Sequence, residues 1–371
     1  MTDTADDIRF MERALELAVC GRGSVSPNPM VGAVVVRDRR IVGEGWHKKA
    51  GGAHAEVIAL KEAGSLARGA TLYVTLEPCC HYGKTPPCTD ALIKYGVSRV
   101  VAAMVDDNPM VCGGGCQALG RAGIKMETGL LEDRARRLNE AYLKFITQRL
   151  PFVTLKLAVT LDGYIADTSG GSKWITGPEA RRAVHRMRAW SDAVMVGAGT
   201  VAVDDPRLNV RDAEGCDPVR IVVDSRFRLP FNRRVFHDGY AIVVSGDTPD
   251  EEKTAQAMDR GIRVIRAGDG VGGVNLEHML TALGERNITS VLCEGGSILS
   301  SSLIRQRLVD KVVFFIAPKL LGQGRAALDD IGVTSIGESI RLDEVVFETV
   351  GGDLMVAGYP VYSDSDTGNV K

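Results

Sequence analysis

Short apolar runs of strand length alternate with helical patterns along almost the whole chain, and this alternation limits the fold more than any other feature. In the first half, helical spacing of apolar residues predicts helices over residues 6–19, 54–63, 89–94 and 131–147. Strand-like runs occupy residues 31–36, 41–46, 70–76 and 99–105. Strands that alternate with helices form α/β domains with largely parallel sheets, so we expect that fold class.

A proline divides the pattern into two halves. Pro151 follows the predicted helix over residues 131–147 and precedes a new strand-like run over residues 152–159. Helical patterns then cover residues 178–190, 249–260, 276–286 and 297–306, and strand-like runs cover 193–197, 220–224, 241–245, 290–294, 311–317, 344–350 and 354–359. A length of 371 residues suits two domains, which we place at 1–149 and 150–371.

Charge and composition exclude several classes of protein. The 45 basic and 47 acidic side chains give a net charge of −2, which argues against a nucleic-acid-binding protein. No apolar run approaches the roughly 18 residues that a membrane span needs, and the acidic start MTDTADDIRF lacks the apolar core of a secretory signal. We therefore expect a cytoplasmic protein with neither nucleic-acid nor membrane partners, whose cysteines are reduced.

One histidine and two cysteines are spaced like the ligands of a catalytic zinc site. His54 opens a predicted helix, Cys79 follows a predicted strand, and Cys88 comes next along the chain. Three protein ligands leave one position for water, whose pKa zinc lowers to about 7. Glu56 lies two residues after the histidine, where a carboxylate could carry protons to a leaving amine. Nucleobase deaminases share this H-x-E and P-C pattern, but here nine positions instead of three separate the cysteines.

Several neighbouring residues have a plain structural interpretation as well. Cys80 and His81 follow the first cysteine ligand and could compete with it for the metal. The Pro-Cys step favours Cys79, which leaves Cys80 as a neighbour and His81 as a candidate substrate contact. Cys112 and Cys116 flank three glycines but lack two further ligands, so we interpret them as structural. Asn28, between two prolines, either forms an ordinary turn or contacts the polar edge of a substrate ring.

Two other functions fit parts of this pattern. A nucleic-acid-editing deaminase would share the zinc ligands, but it would need a basic channel, which the net charge of −2 does not favour. A structural zinc module would normally have four protein ligands and would leave Glu56 without a role.

Four segments together resemble one known family. They are HAEV at 54–57, VTLEPC at 74–79, GKTPPC at 83–88 and LKLAVTLDG at 155–163. The sequence is similar to the bifunctional RibD family of riboflavin biosynthesis. The resemblance implies a cytidine-deaminase-like N-terminal domain of three α/β/α layers and a C-terminal α/β domain similar to dihydrofolate reductase.

The resemblance also implies two successive reactions. Zinc would serve deamination of 2,5-diamino-6-(5-phosphoribosylamino)pyrimidin-4-one, a small phosphorylated pyrimidine. NADPH would then reduce the ribosyl side chain of the product, 5-amino-6-(5-phosphoribosylamino)uracil, to ribityl. Close-coupled α/β domains of this kind often self-associate, and we expect a homo-oligomer.

The family's site residues transfer onto matching positions of this chain. The resemblance implies that His54, Cys79 and Cys88 bind zinc and that Glu56 moves protons. It implies substrate contacts, with Arg188 at the phosphate end, for Ser172, Arg188, Leu208, Arg211 and Glu294. It implies cofactor contacts for Ala158, Trp174, Thr200, Asp204, Ser225, Gly296, Ser297, Ile298, Leu299, Ser300, Ser301 and Ser302.

Local sequence adds support for parts of this second site. Gly295 and Gly296 stand between a predicted strand and a predicted helix, where backbone N–H groups can approach a pyrophosphate, although an ordinary turn looks the same. Lys156 should share a face of its strand with Ala158 and so face the reductase pocket. The arginines at 226 and 228, beside Ser225, are candidates for the NADPH 2′-phosphate.

Overall fold

The computed structural model describes residues 4–82, 86–109 and 111–362, and the chain divides into two compact units, Met1–Arg149 and Leu150–Lys371. The first unit contains, in chain order, α1 (Thr4–Val19), β1 (Gly32–Arg37), β2 (Arg40–Trp46), α2 (Ala55–Ala63), β3 (Thr71–Val74), α3 (Cys88–Tyr95), β4 (Arg99–Ala102), α4 (Gly114–Arg121), β5 (Lys125–Thr128), α5 (Glu132–Leu138) and α6 (Glu140–Gln148).

The first unit is a three-layer α/β/α structure. Its sheet has the strand order β2-β1-β3-β4-β5, with β1 antiparallel to both β2 and β3 and the remaining pairs parallel. Apolar side chains of α2, α3 and α4, such as Leu60, Leu92 and Leu119, cover one face of the sheet. Residues of α1 and α5, such as Met11 and Ala135, cover the other.

Two glycines of β2 bring the start of α2 against the sheet. A Cβ atom on Gly43 would lie 2.2 Å from the Ala59 carbonyl oxygen, and one on Gly45 would lie 2.4 Å from that of Ala55. Side chains at these positions would therefore push α2 away from the strand. Because His54 is the residue that precedes α2, this close packing also fixes the position of the first predicted zinc ligand.

The second unit contains β6 (Phe152–Thr160), β7 (Tyr164–Ala166), α7 (Pro178–Trp190), β8 (Ala193–Gly197), α8 (Ala198–Asp204), β9 (Val219–Val223), β10 (Ala241–Ser245), α9 (Glu251–Asp259), β11 (Arg263–Arg266), α10 (Leu276–Gly284), β12 (Ser290–Cys293), α11 (Ser297–Arg305), β13 (Lys311–Ala317), β14 (Arg325–Ala326), β15 (Arg341–Val350) and β16 (Asp353–Val361). Its main sheet has the order β11-β10-β9-β8-β12-β6-β13-β16-β15. The strands are parallel from β11 to β13, and β16 and β15 are antiparallel additions.

Helices cover both faces of this second sheet. Residues of α10 and α11, such as Met279 and Leu303, pack with Val153 and Leu155 of the central strand β6. Residues of α8 and α9, such as Val201, pack on the opposite face. Among the helices that the structure describes, none is both long and apolar enough to cross a membrane.

The prediction of one helix over residues 131–147 is wrong. The segment forms α5 and α6, and the helix is broken at Asn139, whose φ is −106°. The buried side chain of Asn139 accepts a hydrogen bond from the Met30 N–H at 2.8 Å and donates one to the Met30 carbonyl at 3.0 Å. These two bonds hold a residue more than a hundred positions away, which helical periodicity does not reveal.

Two elements of the first unit carried no sequence prediction. Helix α4 begins directly after Gly113 with two further glycines, which are poor helix formers. Strand β5 has the sequence KMET and lies at the edge of its sheet with none of its residues buried, so it lacks the apolar run that marked the other strands.

Candidate active sites

The first unit brings His54, Cys79 and Cys88 together. His54 is the N-cap of α2, Cys79 lies in the loop after β3, and Cys88 is the first residue of α3. The Nδ1 atom of His54 lies 3.1 Å from the Cys88 Sγ and 3.5 Å from the Cys79 Sγ, and all the possible ligand atoms lie within 4.8 Å of one another. One nitrogen and two sulfur donors at this spacing fit a tetrahedral zinc ion with one open position.

The two cysteines differ in their readiness to ionise. A hydrogen bond from the Cys88 thiol lowers the pKa of Cys79 well below its usual value, and His54 lowers it further. The same bond raises the pKa of Cys88, and burial adds to this rise. The backbone N–H of Cys88 also points at the Cys79 sulfur, at 3.4 Å. Cys79 is thus prepared as a thiolate, the form that binds metals.

Glu56 stands beside this cluster in the first turn of α2. Only 3% of its surface is exposed. Burial raises the pKa of its carboxyl above the usual range, although the nearby His54 acts in the opposite direction. A carboxylate that is close to the ligands and shielded from water is suited to hold and release a proton.

The side chain of Asn28 contacts a second histidine, His47, whose ring packs against His54. Its backbone N–H closes a turn on Val25, and its side chain donates to Nε2 of His47 at 3.1 Å. The other ring nitrogen of His47 donates to the Ala53 carbonyl, and the ring lies edge-on to His54 with centroids 5.6 Å apart. The turn interpretation of Asn28 is therefore correct for its backbone, while a contact between its side chain and the substrate stays a prediction.

Glu77 is a residue that the sequence analysis missed. Its buried carboxylate accepts backbone N–H bonds from Asp106 at 3.2 Å, Gly113 at 2.9 Å and Cys116 at 3.0 Å. These bonds tie the loop that carries Cys79 to the start of α4. The only signal in the sequence was an acidic residue within the VTLEPC motif.

The neighbours of the cysteine ligands have separate environments. A Cβ atom on Gly114 would lie 2.8 Å from the Cys80 sulfur, so Cys80 packs against the start of α4. The Nδ1 atom of His81 is buried and has no hydrogen-bond partner among the described residues. Within residues 4–82, 86–109 and 111–362, only His54, Cys79 and Cys88 form a cluster of three or more possible ligands. Residues 83–85 of the GKTPPC motif lie outside the described residues.

The second unit contains a cavity of about 720 Å³. Most of the residues that the resemblance selected for the reductase site line it, namely Ala158, Ser172, Trp174, Arg188, Thr200, Asp204, Leu208, Arg211, Glu294 and Gly296. Lys156 lines it as well, as its strand face predicted. Ser225 and residues 297–302 do not belong to this lining.

Helix α11 explains why only its first end reaches the cavity. Gly296 is its N-cap and lines the cavity, whereas Ser297, Ser300 and Ser301 are buried beneath. The side chain of Ile298 is 76% exposed, and it is not part of the lining. The N–H groups of the first helical turn, which have no partner within a helix, therefore start at the cavity wall.

Three charged side chains form a network in the cavity wall. The guanidinium of Arg188 donates to both oxygens of Glu294, at 2.6 and 3.0 Å, and the Lys156 amino group lies 3.6 Å from one of them. Burial alone would raise the pKa of Glu294, but Arg188 and Lys156 outweigh it and lower that pKa to about 2. Glu294 is therefore a permanent anion at neutral pH.

Other predicted contacts in this cavity are held by each other or by nearby groups. The Ser172 hydroxyl donates to Asp204 at 2.8 Å. The guanidinium of Arg181 lies over the Trp174 ring, 4.4 Å from its centroid, and Lys319 donates to the Trp174 carbonyl at 2.9 Å. Side chains from distant parts of the unit therefore fix the orientation of the predicted cofactor contacts.

The two units match two family models. Residues 4–104 match the zinc-binding region of cytidine and deoxycytidylate deaminases, and residues 151–356 match the RibD C-terminal domain. Over 351 residues, the chain is 43% identical to the riboflavin biosynthesis protein RibD of Aquifex aeolicus. The matched region covers 94% of this chain and 97% of the Aquifex protein. The chain belongs to the RibD family.

Further relatives agree with this membership. RibD of Escherichia coli is 43% identical to this chain over 363 residues. The matched region covers 94% of this chain and 98% of the Escherichia coli protein. The structure of Acinetobacter baumannii RibD superposes with a TM-score of 0.88 at 39% identity, covering 97% of this chain and all of the other. A Thermotoga maritima deaminase/reductase superposes with a TM-score of 0.83 at 39% identity, covering 96% and 99%.

Membership confirms the predicted function and fold at the level of the whole chain. RibD proteins are bifunctional deaminases and reductases of riboflavin biosynthesis, with zinc and NADPH as cofactors. The fold is likewise confirmed, as a cytidine-deaminase-like domain followed by a RibD reductase domain.

Proposed function

We propose that residues 1–149 deaminate 2,5-diamino-6-(5-phosphoribosylamino)pyrimidin-4-one and that residues 150–371 reduce the resulting 5-amino-6-(5-phosphoribosylamino)uracil. The observation that carries the first half is the cluster of His54, Cys79 and Cys88 with buried Glu56 beside it. The named activities of the Thermotoga maritima relative, a diaminohydroxyphosphoribosylaminopyrimidine deaminase and a 5-amino-6-(5-phosphoribosylamino)uracil reductase, support the choice of substrates.

In the deaminase site, His54, Cys79 and Cys88 would hold zinc, which would supply a Lewis acid for activating water. Glu56 accepts a proton from the attacking water and delivers it to the ring amine, which leaves as ammonia. The raised pKa of Glu56 favours keeping the accepted proton until it is delivered to the amine. His81, with its buried and unpartnered Nδ1, and Asn28 are positioned for polar contacts with the substrate.

In the reductase site, the cavity residues would hold NADPH, which would supply the hydride for reducing the ribosyl side chain. Gly296 and the following helix N-terminus receive the cofactor's pyrophosphate, with Ala158, Trp174, Thr200 and Asp204 as further contacts. Ser225 and residues 297–302 remain proposed cofactor contacts from the resemblance alone. The proposed substrate contacts are Ser172, Arg188 at the phosphate end, Leu208, Arg211 and Glu294. The charge of Glu294 suits the N–H groups of an aminopyrimidine ring.

The substrate in this proposal is a free phosphorylated pyrimidine, not a nucleic acid. The net charge of −2 supports this choice. Deamination of a single-stranded oligonucleotide by a protein inactive on the free pyrimidine would contradict it. None of the eight cysteines, all within the described residues, forms a disulfide, which supports a reducing compartment such as the cytoplasm.

A homo-oligomer is part of the same proposal. Strand β15 is the last of its sheet, and Val346 and Phe347 on it are exposed, as is Leu354 on β16. Apolar side chains along a sheet edge are suited to contact a second copy of the chain. A monomer at micromolar concentration in sedimentation equilibrium would contradict this.

The proposed division of labour is tested with Glu56→Ala. Removing a general acid–base group should slow ammonia release by more than about 10²-fold. The variant should still oxidise NADPH when it is given the deaminated pyrimidine directly. Glu62→Ala is the matched control, because it removes an exposed carboxylate from the same helix. Loss of both activities in a folded Glu56→Ala protein would overturn the assignment of one activity to each unit.

A further inference from the structure

The carboxylate of Asp162 joins two loops of the second unit. Its oxygens accept hydrogen bonds from the Thr160 hydroxyl at 2.6 Å and from the backbone N–H groups of Leu321 and Gly322 at 3.0 and 2.7 Å. The bond from Thr160 and those from the two N–H groups lower the pKa of Asp162, so it is charged at neutral pH. A charged acceptor binds N–H donors more strongly than a neutral one. Asp162 therefore ties residues 318–322, which follow β13, to the turn after β6.

Backbone contacts reinforce this junction between the two loops. The Leu161 N–H donates to the Lys319 carbonyl at 2.8 Å, and β14 pairs with β7 in an antiparallel two-stranded sheet. A Cβ atom on Gly324 would lie 2.2 Å from a carbonyl oxygen of β7, so the two chain segments approach closely. The backbone of Lys319 is therefore fixed by its neighbours on both sides.

The side chain of Lys319 extends from this loop to the wall of the reductase cavity. Its ammonium group donates to the Trp174 carbonyl at 2.9 Å and to the Ile175 carbonyl at 2.6 Å. Trp174 and Ile175 both line the cavity, whereas Lys319 and Asp162 lie outside the lining that the described residues form. Two of the three N–H donors of the ammonium group are thus used on the backbone beside a predicted cofactor contact.

The segment around Trp174 lacks the packing of a regular element. Residues 167–177 form neither a helix nor a strand, and the side chain of Trp174 is 62% exposed. On the other side of the segment, Lys173 donates to the Asp204 carbonyl at 3.1 Å. Exposed segments that polar contacts hold in place open locally at a low free-energy cost. The two hydrogen bonds from Lys319 therefore matter for how well this part of the wall is ordered.

We propose that Lys319 is a positioning residue for the nicotinamide cofactor, because it holds the backbone of Trp174 and Ile175 where the cofactor binds. Asp162 acts one step further away, by fixing the loop from which Lys319 extends. The inference rests on the proposed contact between Trp174 and NADPH. A wall that is already in place avoids the ordering cost that cofactor binding would otherwise carry. Lys319 and Asp162 thus raise the affinity for NADPH without touching it.

The test compares Lys319→Met with Lys319→Arg in the full chain. Methionine has a similar length but no N–H donor, so the Kd for NADPH, measured by titration calorimetry, should rise roughly tenfold. In the protein without cofactor, backbone amides of residues 172–177 should exchange hydrogen roughly tenfold faster. Arginine keeps a charged donor, so Lys319→Arg should recover most of both losses. Asp162→Asn should show smaller changes of the same kind.

Steady-state kinetics separates positioning from a general structural role. In Lys319→Met, the KM for NADPH should rise roughly tenfold, while kcat and the KM for the deaminated pyrimidine should stay within about twofold. Lys311→Met is the matched control, because it removes a lysine from the opposite end of β13, outside the cavity lining. It should bind NADPH and exchange amide hydrogens like the unsubstituted protein.

Three outcomes would overturn the inference. The first is unchanged exchange of residues 172–177 together with an unchanged Kd for NADPH in Lys319→Met. The second is faster exchange without loss of NADPH affinity, because the lysine would then stabilise this segment without serving the cofactor. The third is faster exchange throughout β6 and β13, which would make the role of Lys319 one of general stability. A failure of the proposed reductase function is distinguishable, since the unsubstituted protein would then not bind NADPH at all.

Discussion

Glu56 and Glu294 are both buried carboxylates, but their surroundings move their pKa values in opposite directions. Around Glu56, burial has the largest effect and raises the pKa. Around Glu294, the charges of Arg188 and Lys156 outweigh burial and lower the pKa to about 2. Burial beside His54 and Cys79 leaves the carboxyl pKa raised, whereas burial between Arg188 and Lys156 lowers it. The first suits proton transfer and the second suits orienting a substrate.

The largest expected effect concerns the site around Glu56, and its test removes a zinc ligand. Cys88→Ser should abolish tight zinc binding and reduce deamination by about four orders of magnitude, because water is no longer activated. Reduction of the deaminated pyrimidine should continue at its normal rate. Zinc is measured by elemental analysis, and ammonia by a coupled assay.

Cys80→Ser is the matched control for this change, because Cys80 is adjacent to a ligand but packs against α4. It should keep a full complement of zinc. Zinc loss in Cys80→Ser together with zinc retention in Cys88→Ser would show that the ligand set is different from the one proposed.

The distance along the chain between the residues of a site explains how much of that site the sequence could predict. His54 and Glu56 lie within one helical turn, Cys79 lies in the loop after β3, and Cys88 starts α3. Such short motifs carry their geometry with them, so the sequence predicted that His54, Cys79 and Cys88 come together. The role of Glu77 was missed because its three partners are backbone groups, which no side-chain pattern marks.

The reductase site was predicted less completely because its contacts join distant parts of the chain. Arg188 and Glu294 are 106 positions apart and meet only through the packing of α7 beside the end of β12. The resemblance selected both residues but did not reveal that they bind each other. The split of α5 from α6 has the same origin, because Asn139 is held by a residue 109 positions away.

Removing Arg188 from its buried network with Glu294 and Lys156 tests how strongly the basic side chains stabilise the Glu294 carboxylate. Arg188→Ala should lower the free energy of unfolding of the second unit by about 4 kcal/mol, because it leaves a buried carboxylate with only Lys156 nearby. Urea unfolding is followed by hydrogen exchange mass spectrometry of peptides from β6 and β12, which separates this unit from the other. Arg182→Ala breaks an exposed pair with Glu179 and should cost less than about 1 kcal/mol. Equal effects of the two changes would contradict the importance of burial.

The smallest effect concerns pH. The pKa of Glu294 is about 2 in the folded protein, against an ordinary value of 4.5. Because the pKa of Glu294 is lower in the folded protein than in the unfolded one, the charged carboxylate stabilises the fold. This stabilisation is fully present above about pH 4.5 and is lost as the pH falls through about 2. The difference corresponds to about 3 kcal/mol. We therefore expect the free energy of unfolding of the second unit to become equal in the unsubstituted protein and in Glu294→Gln as the pH falls. Urea unfolding from pH 6 downward measures both values. A gap that stays constant over this range would mean that Glu294 does not lose its charge there. The contrast with Glu56 would then not originate in the cations around Glu294.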